Sequence, residues 1–343
     1  MSVTIKEIAE YAKISRGTVD RVLNKRGKVS PEVEQRVRMI AEALGYKPNS
    51  AAKAFSVLKK KMLFGVLLPS VKNPFFDDVI KGIEFAKREL EDYGIEIALD
   101  EIQGFDVECL LTHMDDLLKR GITALALVPF DDSRVVEKIN AIVESGIPVV
   151  TVNSDIQNSM RQCNIGIDFT ESGRLAADLM GLINPRAKVL IVTGTSKLLS
   201  HNQRIWGFNE VAKSQYAEMN IVKTVECNEN EYVAYDLVAE ACAADPEINA
   251  IFITGQGISG TCEALGKIPD KKFSVICFDD IPSTRELIKQ GKISATICQQ
   301  PFEQGYETIQ YLFKRAVGSE TDDEKEILME NVIKIRQCIV DGK

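Results

Sequence analysis

The stretch from residue 4 to residue 23 reads TIKEIAEYAKISRGTVDRVL, and it predicts two short helices joined by a tight turn. Thr4 and Glu7 have the spacing of a capping box, in which each side chain bonds the other residue's backbone N–H. The apolar residues that follow recur every three or four positions, as on one face of a helix. Ser15 can cap a second helix, and Ser30 can cap a third. This order indicates a helix-turn-helix.

The charge of the chain is divided unevenly along its length. The first 61 residues contain 14 Lys and Arg against 6 Asp and Glu, for a net charge of +8. The whole chain contains 42 against 50, for a net charge of −8, so the remaining residues carry −16. A basic region favours a polyanionic partner, whereas the acidic remainder would be repelled by one. We therefore expect only the N-terminal region to bind nucleic acid.

The second predicted helix carries side chains that are suited to reading DNA. Arg16 and Arg21 are expected to face outward, and arginine reads guanine in the major groove through paired N–H donors. Lys25 and Lys28 follow at positions suited to phosphate contacts. The alternative is a solvated three-helix bundle, because basic helix faces are common on protein surfaces. The net charge of +8 and the two arginines favour the DNA-binding interpretation.

Five short motifs in this region resemble the headpiece of LacI/GalR-type repressors. They are VTIKEIA (3–9), GTV (17–19), RVLN (21–24), VSP (29–31) and LGYKPN (44–49). The resemblance implies that the residues around Arg16 and Arg21 lie where the family reads bases. Asp20 departs from the serine that is usual there, and we expect it to pair with a neighbouring arginine or to accept from a cytosine amino group. The predicted DNA-binding residues are Thr4, Ser15, Arg16, Gly17, Thr18, Arg21, Asn24, Lys25, Lys28, Lys53 and Phe55.

Residues 49–61 form the predicted connection between the two parts of the chain. They include SAAKAF (50–55), which favours a helix but is too short to be helical alone in water. In the family that this segment resembles, the matching residues fold on DNA and insert an apolar side chain into the minor groove, which kinks the duplex. Phe55 lies at that position. The alternative is that Phe55 packs on the body and that the segment is only a linker.

From residue 62 onward, apolar strands alternate with amphipathic helices. The strand candidates run from 63–68 to 295–298, and helical patterns fall between them. Strict alternation predicts parallel sheets with helices on both faces, and about 280 residues suits two such units. We therefore predict an all-α headpiece (1–48), a hinge helix and linker (49–61) and a two-lobed α/β domain (62–343). The N-lobe is predicted at approximately 62–165 and 299–324, and the C-lobe at approximately 166–298 and 325–343.

Cysteine and histidine spacing and the hydropathy of the chain argue against several classes of protein. The eight cysteines are scattered and none has Cys-x-x-Cys spacing, while the two histidines lie far apart. Neither a zinc site nor a disulfide framework is therefore predicted, and no cofactor is expected. No signal peptide or apolar run of membrane length is present, so we expect a cytoplasmic protein with no membrane partner.

Polar and aromatic residues collect at the predicted carboxyl ends of the strands, where ligands of such sheets bind. Asn73, Phe75 and Phe76 follow the first strand, and Asp279 follows the strand that ends at Phe278. Amides, carboxylates and an arginine can hold vicinal hydroxyls, while aromatic rings can cover the C–H faces of a sugar. Each residue also has an ordinary interpretation, because Asn and Asp often cap helices and Phe usually lies in a core. Their accumulation at equivalent positions favours a sugar site.

The body resembles ribose-type periplasmic sugar-binding proteins, as do the sensor domains of LacI/GalR-type regulators. The shared motifs are NPFF (73–76), GIPV (146–149), GF (207–208), FD (278–279) and Gln299 two residues before a proline. The resemblance implies a periplasmic-binding-protein-like type I fold with its ligand between two lobes. Asn153 and Thr254 depart from the ribose pattern, so a pentose, a hexose and a polyol all stay open. The predicted effector-binding residues are Asn73, Phe75, Phe76, Asn153, Asn202, Arg204, Thr254, Phe278, Asp279 and Gln299.

A rival pattern lies in the same region. GQGISG (255–260) matches G-x-G-x-x-G between a strand and a helix, and Asp279 ends the next strand, as in a dinucleotide site. This interpretation would make the protein an NAD(H)-sensing redox repressor, with Gly255 and Gly260 at the pyrophosphate. Its location in the middle of the second lobe counts against it. An enzyme acting on a carbohydrate through Asp279 and Asp280 is the other alternative, but adjacent carboxylates rarely face one bond, and no catalytic residues are predicted.

Together these features predict a sequence-specific DNA-binding transcriptional regulator, a repressor whose operator affinity is controlled by a sugar-like small molecule bound between two lobes. One headpiece reads only a half-site, so we expect a homodimer on a near-palindromic operator, with a tetramer as the alternative. The chain should cross between the lobes near 153–168, 299–302 and 321–331. Rotation of the lobes would change the distance between paired hinge segments and so control DNA affinity.

Overall fold

The computed structural model describes residues 3–23, 29–44, 62–318 and 324–340. The chain divides into two compact units, Met1–Val57 and Leu58–Lys343. The helices of the first unit are α1 (Ile5–Ala12), α2 (Arg16–Leu23) and α3 (Pro31–Ala43). They enclose a small apolar core in which Ile8, Val19 and Val37 are fully buried. The predicted helix-turn-helix headpiece is therefore present.

The helix ends of the headpiece form as the sequence predicts, with one exception. Thr4 Oγ1 accepts from the Glu7 N–H at 3.3 Å, and the Thr4 N–H donates to Glu7 Oε2 at 2.7 Å, which completes the capping box. Ser15 Oγ accepts from the Thr18 N–H at 3.1 Å and so caps α2. Ser30 occupies the N-cap position of α3, but its side chain makes no capping hydrogen bond. The proline that follows sets the start of α3 instead, because its fixed φ suits the first helical position.

The N-lobe is a parallel sheet of six strands with helices on its faces. Its strands are β1 (Met62–Leu68), β2 (Ile95–Glu101), β3 (Ala124–Leu127), β4 (Val149–Val152), β5 (Cys163–Gly166) and β11 (Glu326–Leu328). They pair in the order β11-β5-β4-β3-β1-β2. The flanking helices are α4 (Phe75–Glu89), α5 (Val107–Lys119), α6 (Ser133–Glu144) and α12 (Pro301–Ala316).

The C-lobe repeats this architecture. Its strands are β6 (Lys188–Thr193), β7 (Asn220–Glu226), β8 (Ala250–Ile253), β9 (Ser274–Phe278), β10 (Ala295–Cys298) and β12 (Val332–Lys334). They pair in the order β12-β10-β9-β8-β6-β7, and only β12 is antiparallel to its neighbour. Its helices are α7 (Phe169–Ile183), α8 (Leu199–Gln215), α9 (Glu231–Ala244), α10 (Ile258–Gly266), α11 (Pro282–Lys289) and α13 (Arg336–Val340).

Three short strands that were not among the sequence-based candidates, β5, β11 and β12, decide where the lobes divide. β11 pairs with β5 in the N-lobe sheet, whereas β12 pairs with β10 in the C-lobe sheet. Residues 326–328 therefore lie in the N-lobe sheet and not in the C-lobe, where the sequence-based boundary near 325 put them. The third crossing falls at 329–331, and the other two fall at 167–168 and 299–300.

Helices α7 and α8 pack so closely that their backbones touch at glycines. A Cβ atom on Gly173 would lie 2.1 Å from the carbonyl oxygen of Arg204, and one on Gly207 would lie 1.9 Å from the carbonyl oxygen of Thr170. Both positions therefore require a residue without a side chain. This contact fixes the backbone of Arg204 relative to the C-lobe sheet.

The eight cysteines are unpaired, and six of them are buried. Burial raises the pKa of the Cys227 thiol to about 11 and that of Cys298 to about 12. These thiols stay protonated near neutral pH and pack as small apolar side chains. Among the described residues, no helix is long and apolar enough to cross a membrane.

Candidate functional site

The predicted DNA-reading surface lies on helix α2 of the headpiece. Arg16, Gly17 and Arg21 are exposed on this helix, while Val19 and Val22 on its other face are buried. Exposed basic side chains over a packed apolar face are what insertion into a major groove requires. Thr4, Ser15 and Thr18 also lie at or near the surface, although the Ser15 hydroxyl is engaged in the α2 cap. The other predicted contacts, Asn24, Lys25, Lys28, Lys53 and Phe55, fall outside the described residues.

A narrow cavity of about 50 Å³ lies between the two lobes at the carboxyl ends of their strands. A volume of this size accommodates only a few water molecules, so the two walls lie close together. The cavity is where the sequence placed the effector site. Seven of the ten predicted effector-binding residues line it, namely Asn73, Phe75, Phe76, Asn153, Arg204, Asp279 and Gln299.

A chain of hydrogen bonds joins the lobes across this cavity. Asn153, at the end of β4, donates from Nδ2 to Gln299 Oε1 at 3.0 Å, and Gln299 Nε2 donates to Asp279 Oδ1 at 2.6 Å. Gln299 itself lies in the second crossing between the lobes. Asn153 and Asp279 adopt left-handed φ values of 60° and 70°, which are uncommon for non-glycine residues and often accompany function. The polar chain therefore links both lobes and one crossing.

Arg204 is the buried cation of the cavity. Its guanidinium carbon lies 3.6 Å from the centre of the Phe278 ring, and Nη1 donates to the Thr254 carbonyl oxygen at 2.5 Å. Its Nε and Nη2 atoms have no hydrogen-bond partner within the described part of the chain. Burial lowers the pKa of Arg204 to about 10, while the charges of Asp279 and Glu229 act in the opposite direction. Arg204 is thus charged at neutral pH and retains two nitrogen donors for a ligand.

Asp279 supplies a buried acceptor next to this cation. Burial raises the pKa of the Asp279 carboxyl, while the charge of Arg204 and the hydrogen bond from Gln299 partly offset that effect. The neighbouring Asp280 faces a different environment and pairs with Arg285 and Lys334. The two adjacent carboxylates therefore have separate sets of partners in this structure.

Three predicted effector-binding residues do not line the cavity. Asn202 donates from Nδ2 to the Ser196 carbonyl oxygen at 3.0 Å, because it lies on a different side of α8 from Arg204. Thr254 and Phe278 are completely buried behind Arg204, which they hold through the carbonyl and ring contacts described above. In this structure both residues contact the Arg204 guanidinium and do not line the cavity.

Two titratable lining residues, Glu229 and His201, were missed by sequence reasoning. Glu229 lies three residues beyond β7, and His201 lies one helical turn before Arg204. Burial raises the pKa of Glu229 to about 7, although an N–H donated by Gln256 and the charge of Arg204 lower it. Burial and Arg204 lower the pKa of His201 to about 3, so this imidazole is neutral at physiological pH. The remaining unpredicted lining residues are Pro69, Phe105, Val128, Leu198, Ser200, Gly255, Gln256, Ile258 and Ile281.

The G-x-G-x-x-G pattern at 255–260 has an internal explanation. The Gly260 N–H at the start of α10 donates to Glu231 Oε2 at 2.7 Å, and the Gln256 N–H donates to Glu229 Oε2 at 3.2 Å. A Cβ atom on Gly260 would lie 1.8 Å from the Glu231 carbonyl oxygen. The chain's own carboxylates therefore occupy the helix N-terminus where a pyrophosphate would bind, and they would repel it.

Comparisons with known proteins cover both parts of the chain. The family model for bacterial regulatory proteins of the lacI family matches residues 4–49, and the periplasmic binding protein domain model matches residues 64–320. The ribose operon repressor of Halalkalibacterium halodurans is 27% identical over 304 residues, which cover 87% of this chain and 85% of that protein. The HTH-type transcriptional repressor PurR of Histophilus somni (strain 2336) is 26% identical over 331 residues, which cover 95% of each protein.

A solved structure shows the same fold for the body. The crystal structure of GanP, a glucose-galactose binding protein from Geobacillus stearothermophilus, matches with a TM-score of 0.76 at 23% identity. The match covers 81% of this chain and 99% of that chain. The chain therefore belongs to the periplasmic binding protein domain family over residues 64–320, and this domain follows a headpiece of the lacI family of bacterial regulatory proteins at residues 4–49.

Proposed function

We propose that this protein is a transcriptional repressor whose affinity for its operator is controlled by a sugar or sugar-like effector bound between the two lobes. The lacI-family headpiece supports control of transcription through DNA binding. One observation carries the effector proposal: Arg204 is a buried guanidinium with two unpartnered nitrogen donors beside the carboxylate of Asp279. Unsatisfied buried donors are costly, so a ligand that accepts from them would be strongly favoured.

The chemistry of the cavity suits a polyhydroxylated ring. Hydroxyls can accept from Arg204 and donate to Asp279, and the rings of Phe75 and Phe76 can cover an apolar sugar face. The names of two relatives, a ribose operon repressor and a glucose-galactose binding protein, point to the same class of ligand. Because those names refer to different sugars, they support the class and not one member of it.

The narrowness of the cavity suggests how the ligand controls DNA binding. A monosaccharide needs more room than about 50 Å³, so we propose that the lobes rotate apart to admit it. Rotation about the three crossings would move the start of β1, which directly follows residues 49–61, the predicted hinge helix and linker. We propose that two copies of this segment, in a homodimer on a near-palindromic operator, respond to that movement. A coupling of about 1–3 kcal/mol would change operator affinity roughly 5- to 150-fold.

Repressor relatives support a regulatory role rather than a catalytic one. We propose no catalytic residue and no cofactor, and we place the protein in the cytoplasm, where its operator is. The predicted hinge contacts Lys53 and Phe55, with the basic residues Lys25 and Lys28, remain part of the proposed DNA interface.

The DNA side of the proposal can be tested by selection from a random duplex library with the full-length protein. A near-palindromic consensus is expected, and Arg21→Ala should reduce discrimination at one base pair of each half-site by about 5- to 100-fold. Arg36→Ala removes the same charge from α3 and serves as the control. Equal weakening on all sequences by both variants would show that Arg21 contacts phosphates and does not read bases.

The effector side can be tested by thermal-shift screening of sugars, polyols, nucleosides and NAD(H), followed by operator titration with each compound that stabilises the protein. A sugar or polyol that both stabilises the protein and changes its operator affinity is the expected result. Stabilisation by NAD(H) alone would replace the sugar proposal with the redox-sensing alternative.

A further inference from the structure

Glu229 is a buried carboxylate whose hydrogen bonding is incomplete. It lies in the segment between β7 and α9, and its side chain is only 10% exposed. Oε2 accepts from the Gln256 N–H at 3.2 Å, whereas Oε1 has no hydrogen-bond partner in the described part of the chain. Leaving a buried carboxylate oxygen without a hydrogen-bond donor costs free energy, and folded proteins usually avoid it. This oxygen therefore has room for a donor that the described residues do not supply.

The space around Oε1 is created by two glycines at neighbouring strand ends. A Cβ atom on Gly194, which follows β6, would lie 1.4 Å from Glu229 Oε1, and one on Gly255, which follows β8, would lie 2.6 Å from it. Neither glycine has a left-handed φ, so backbone conformation does not explain why glycine occurs there. The two positions lack side chains because the Glu229 carboxylate and the His201 imidazole occupy the space.

Among the residues that the structure describes, no charged cation forms an ion pair with this carboxylate. His201 Nδ1 lies 3.7 Å from Glu229 Oε1, but its position is fixed by Thr195, and its pKa of about 3 leaves it uncharged. Arg204 affects Glu229 through its charge without forming an ion pair, and it also faces Asp279. One guanidinium therefore faces two carboxylates in this cavity.

Glu229 lies where a ligand would pass and bind. It lines the inner cavity together with Asn73 and Gln256, and the same three residues line a larger depression of about 430 Å³ at the surface. The exposed Tyr232 lies on the rim of that depression. Glu229 thus lies at the junction between the mouth and the interior of the site.

We infer that Glu229 is a specificity-determining residue of the effector site, which accepts a hydrogen bond from a hydroxyl or ammonium group of the effector and excludes anionic analogues such as sugar phosphates and uronic acids. The inference rests on the proposed function, because it assumes an effector in this cavity. A phosphate or carboxylate could approach the donors of Arg204 only by also approaching Glu229 and Asp279. Burial already disfavours the charged forms of both carboxyl groups, and a nearby anion would disfavour them further, so an anionic ligand should bind less tightly than a neutral or cationic one.

The inference is tested by calorimetry on the full-length protein with matched sugar sets. Each of ribose, glucose and galactose is titrated as the free sugar and as its phosphate, and the two hexoses are also titrated as the amino sugar and the uronate. Wild-type protein should bind a free or amino sugar at least about 10-fold more tightly than its anionic counterparts, and Glu229→Gln should weaken that binding by about 10- to 100-fold. The comparison of free and amino sugar then shows whether the donor is a hydroxyl or an ammonium group. Glu247→Gln, which removes an exposed carboxylate of the same lobe, is the matched control and should leave binding unchanged.

A second variant tests the geometry without removing the charge. Gly194→Ala places a methyl group against Glu229 Oε1 and should reduce sugar affinity to a similar extent. The double variant that combines Gly194→Ala with Glu229→Gln should lose little more affinity than either single variant. Tightest binding of a phosphate or uronate, or unchanged affinity in Glu229→Gln, would overturn the assignment while leaving a sugar-responsive repressor intact. If no compound of the set binds or changes operator affinity, the proposed function fails, and the role of Glu229 fails with it.

Discussion

The two walls of the interlobe cavity differ in kind. Among the described residues, the N-lobe wall consists of neutral side chains, chiefly Asn73, Phe75, Phe76, Phe105 and Asn153. The titratable lining residues described there belong to the C-lobe; they are His201, Arg204, Glu229 and Asp279. Charged hydrogen bonds are stronger than neutral ones, while aromatic faces contribute mainly by excluding water. If the proposed effector binds here, we expect the C-lobe to provide most of the affinity and the N-lobe to close over a ligand that the C-lobe already holds.

Removing a charge from the C-lobe wall should have the largest effect on effector affinity. Asp279→Asn keeps an acceptor for Gln299 but removes the negative charge that faces Arg204. We expect effector affinity to fall by about 100-fold, since hydrogen bonds to buried charged groups are worth about 1.5–3 kcal/mol, while DNA binding without effector persists. Isothermal calorimetry and operator titration measure the two effects, with the exposed Asp236→Asn as the control. Unchanged affinity would remove Asp279 from the effector site.

The charged wall should also make the unliganded protein less stable as the pH rises. Burial raises the pKa of Glu229 from 4.5 to about 7, so between these values the folded protein holds a proton that the unfolded chain has lost. Stability therefore falls as pH increases through this window, and the loss is complete above the folded pKa. The full shift corresponds to about 3 kcal/mol, and we expect about 2 kcal/mol because opening of the lobes admits water.

Glu229→Gln isolates that contribution. The variant should unfold at a higher denaturant concentration than wild type at pH 8 and at nearly the same concentration at pH 4.5. The charged and titratable groups that face Glu229 from neighbouring elements are retained in both proteins; they are Arg204, His201, Asp279 and Glu231. A difference that does not depend on pH would mean that Glu229 is not the group that titrates.

A change in the N-lobe wall should have the smallest effect on affinity. Phe75→Leu retains an apolar side chain but removes an aromatic face, which is worth about 0.5–1.5 kcal/mol. Effector affinity should fall roughly 2- to 10-fold, and the operator response at saturating effector should fall as well, because closure is less favourable. Calorimetry measures the change in effector affinity, and operator titration at saturating effector measures the change in response. A loss as large as that of Asp279→Asn would contradict the division between the walls.

The features that the sequence predicts well are local in origin. The capping box of Thr4 and Glu7 depends on residues three positions apart, and the residues after β1 and β9 follow from the rule that ligands meet the carboxyl ends of parallel strands. Asn202 shows the limit of this reasoning. Residues two positions apart on a helix, such as Asn202 and Arg204, point in directions that differ by about 200°. Only the packing of α8 shows that Arg204 is the one that faces the cavity.

Other features depend on contacts between distant parts of the chain. β11 contains only three residues, and its place in the N-lobe sheet is set by pairing with β5, which lies about 160 residues earlier. Glu229 becomes recognisable as a site residue only when the glycines after β6 and β8 are seen around its carboxylate. Neither relation leaves a periodic signal in the sequence.

The backbone contact between α7 and α8 has a consequence for the kinetics of sensing. Because Gly173 abuts the carbonyl group of Arg204, the backbone of Arg204 is held between two packed helices. The position of its guanidinium therefore does not depend on a loop becoming ordered. The receptor half of the site is thus preorganised, and a ligand loses little conformational entropy in docking there. Association with the C-lobe should be rapid, and the time needed for the regulator to respond should be set by the slower rotation of the opposing lobe.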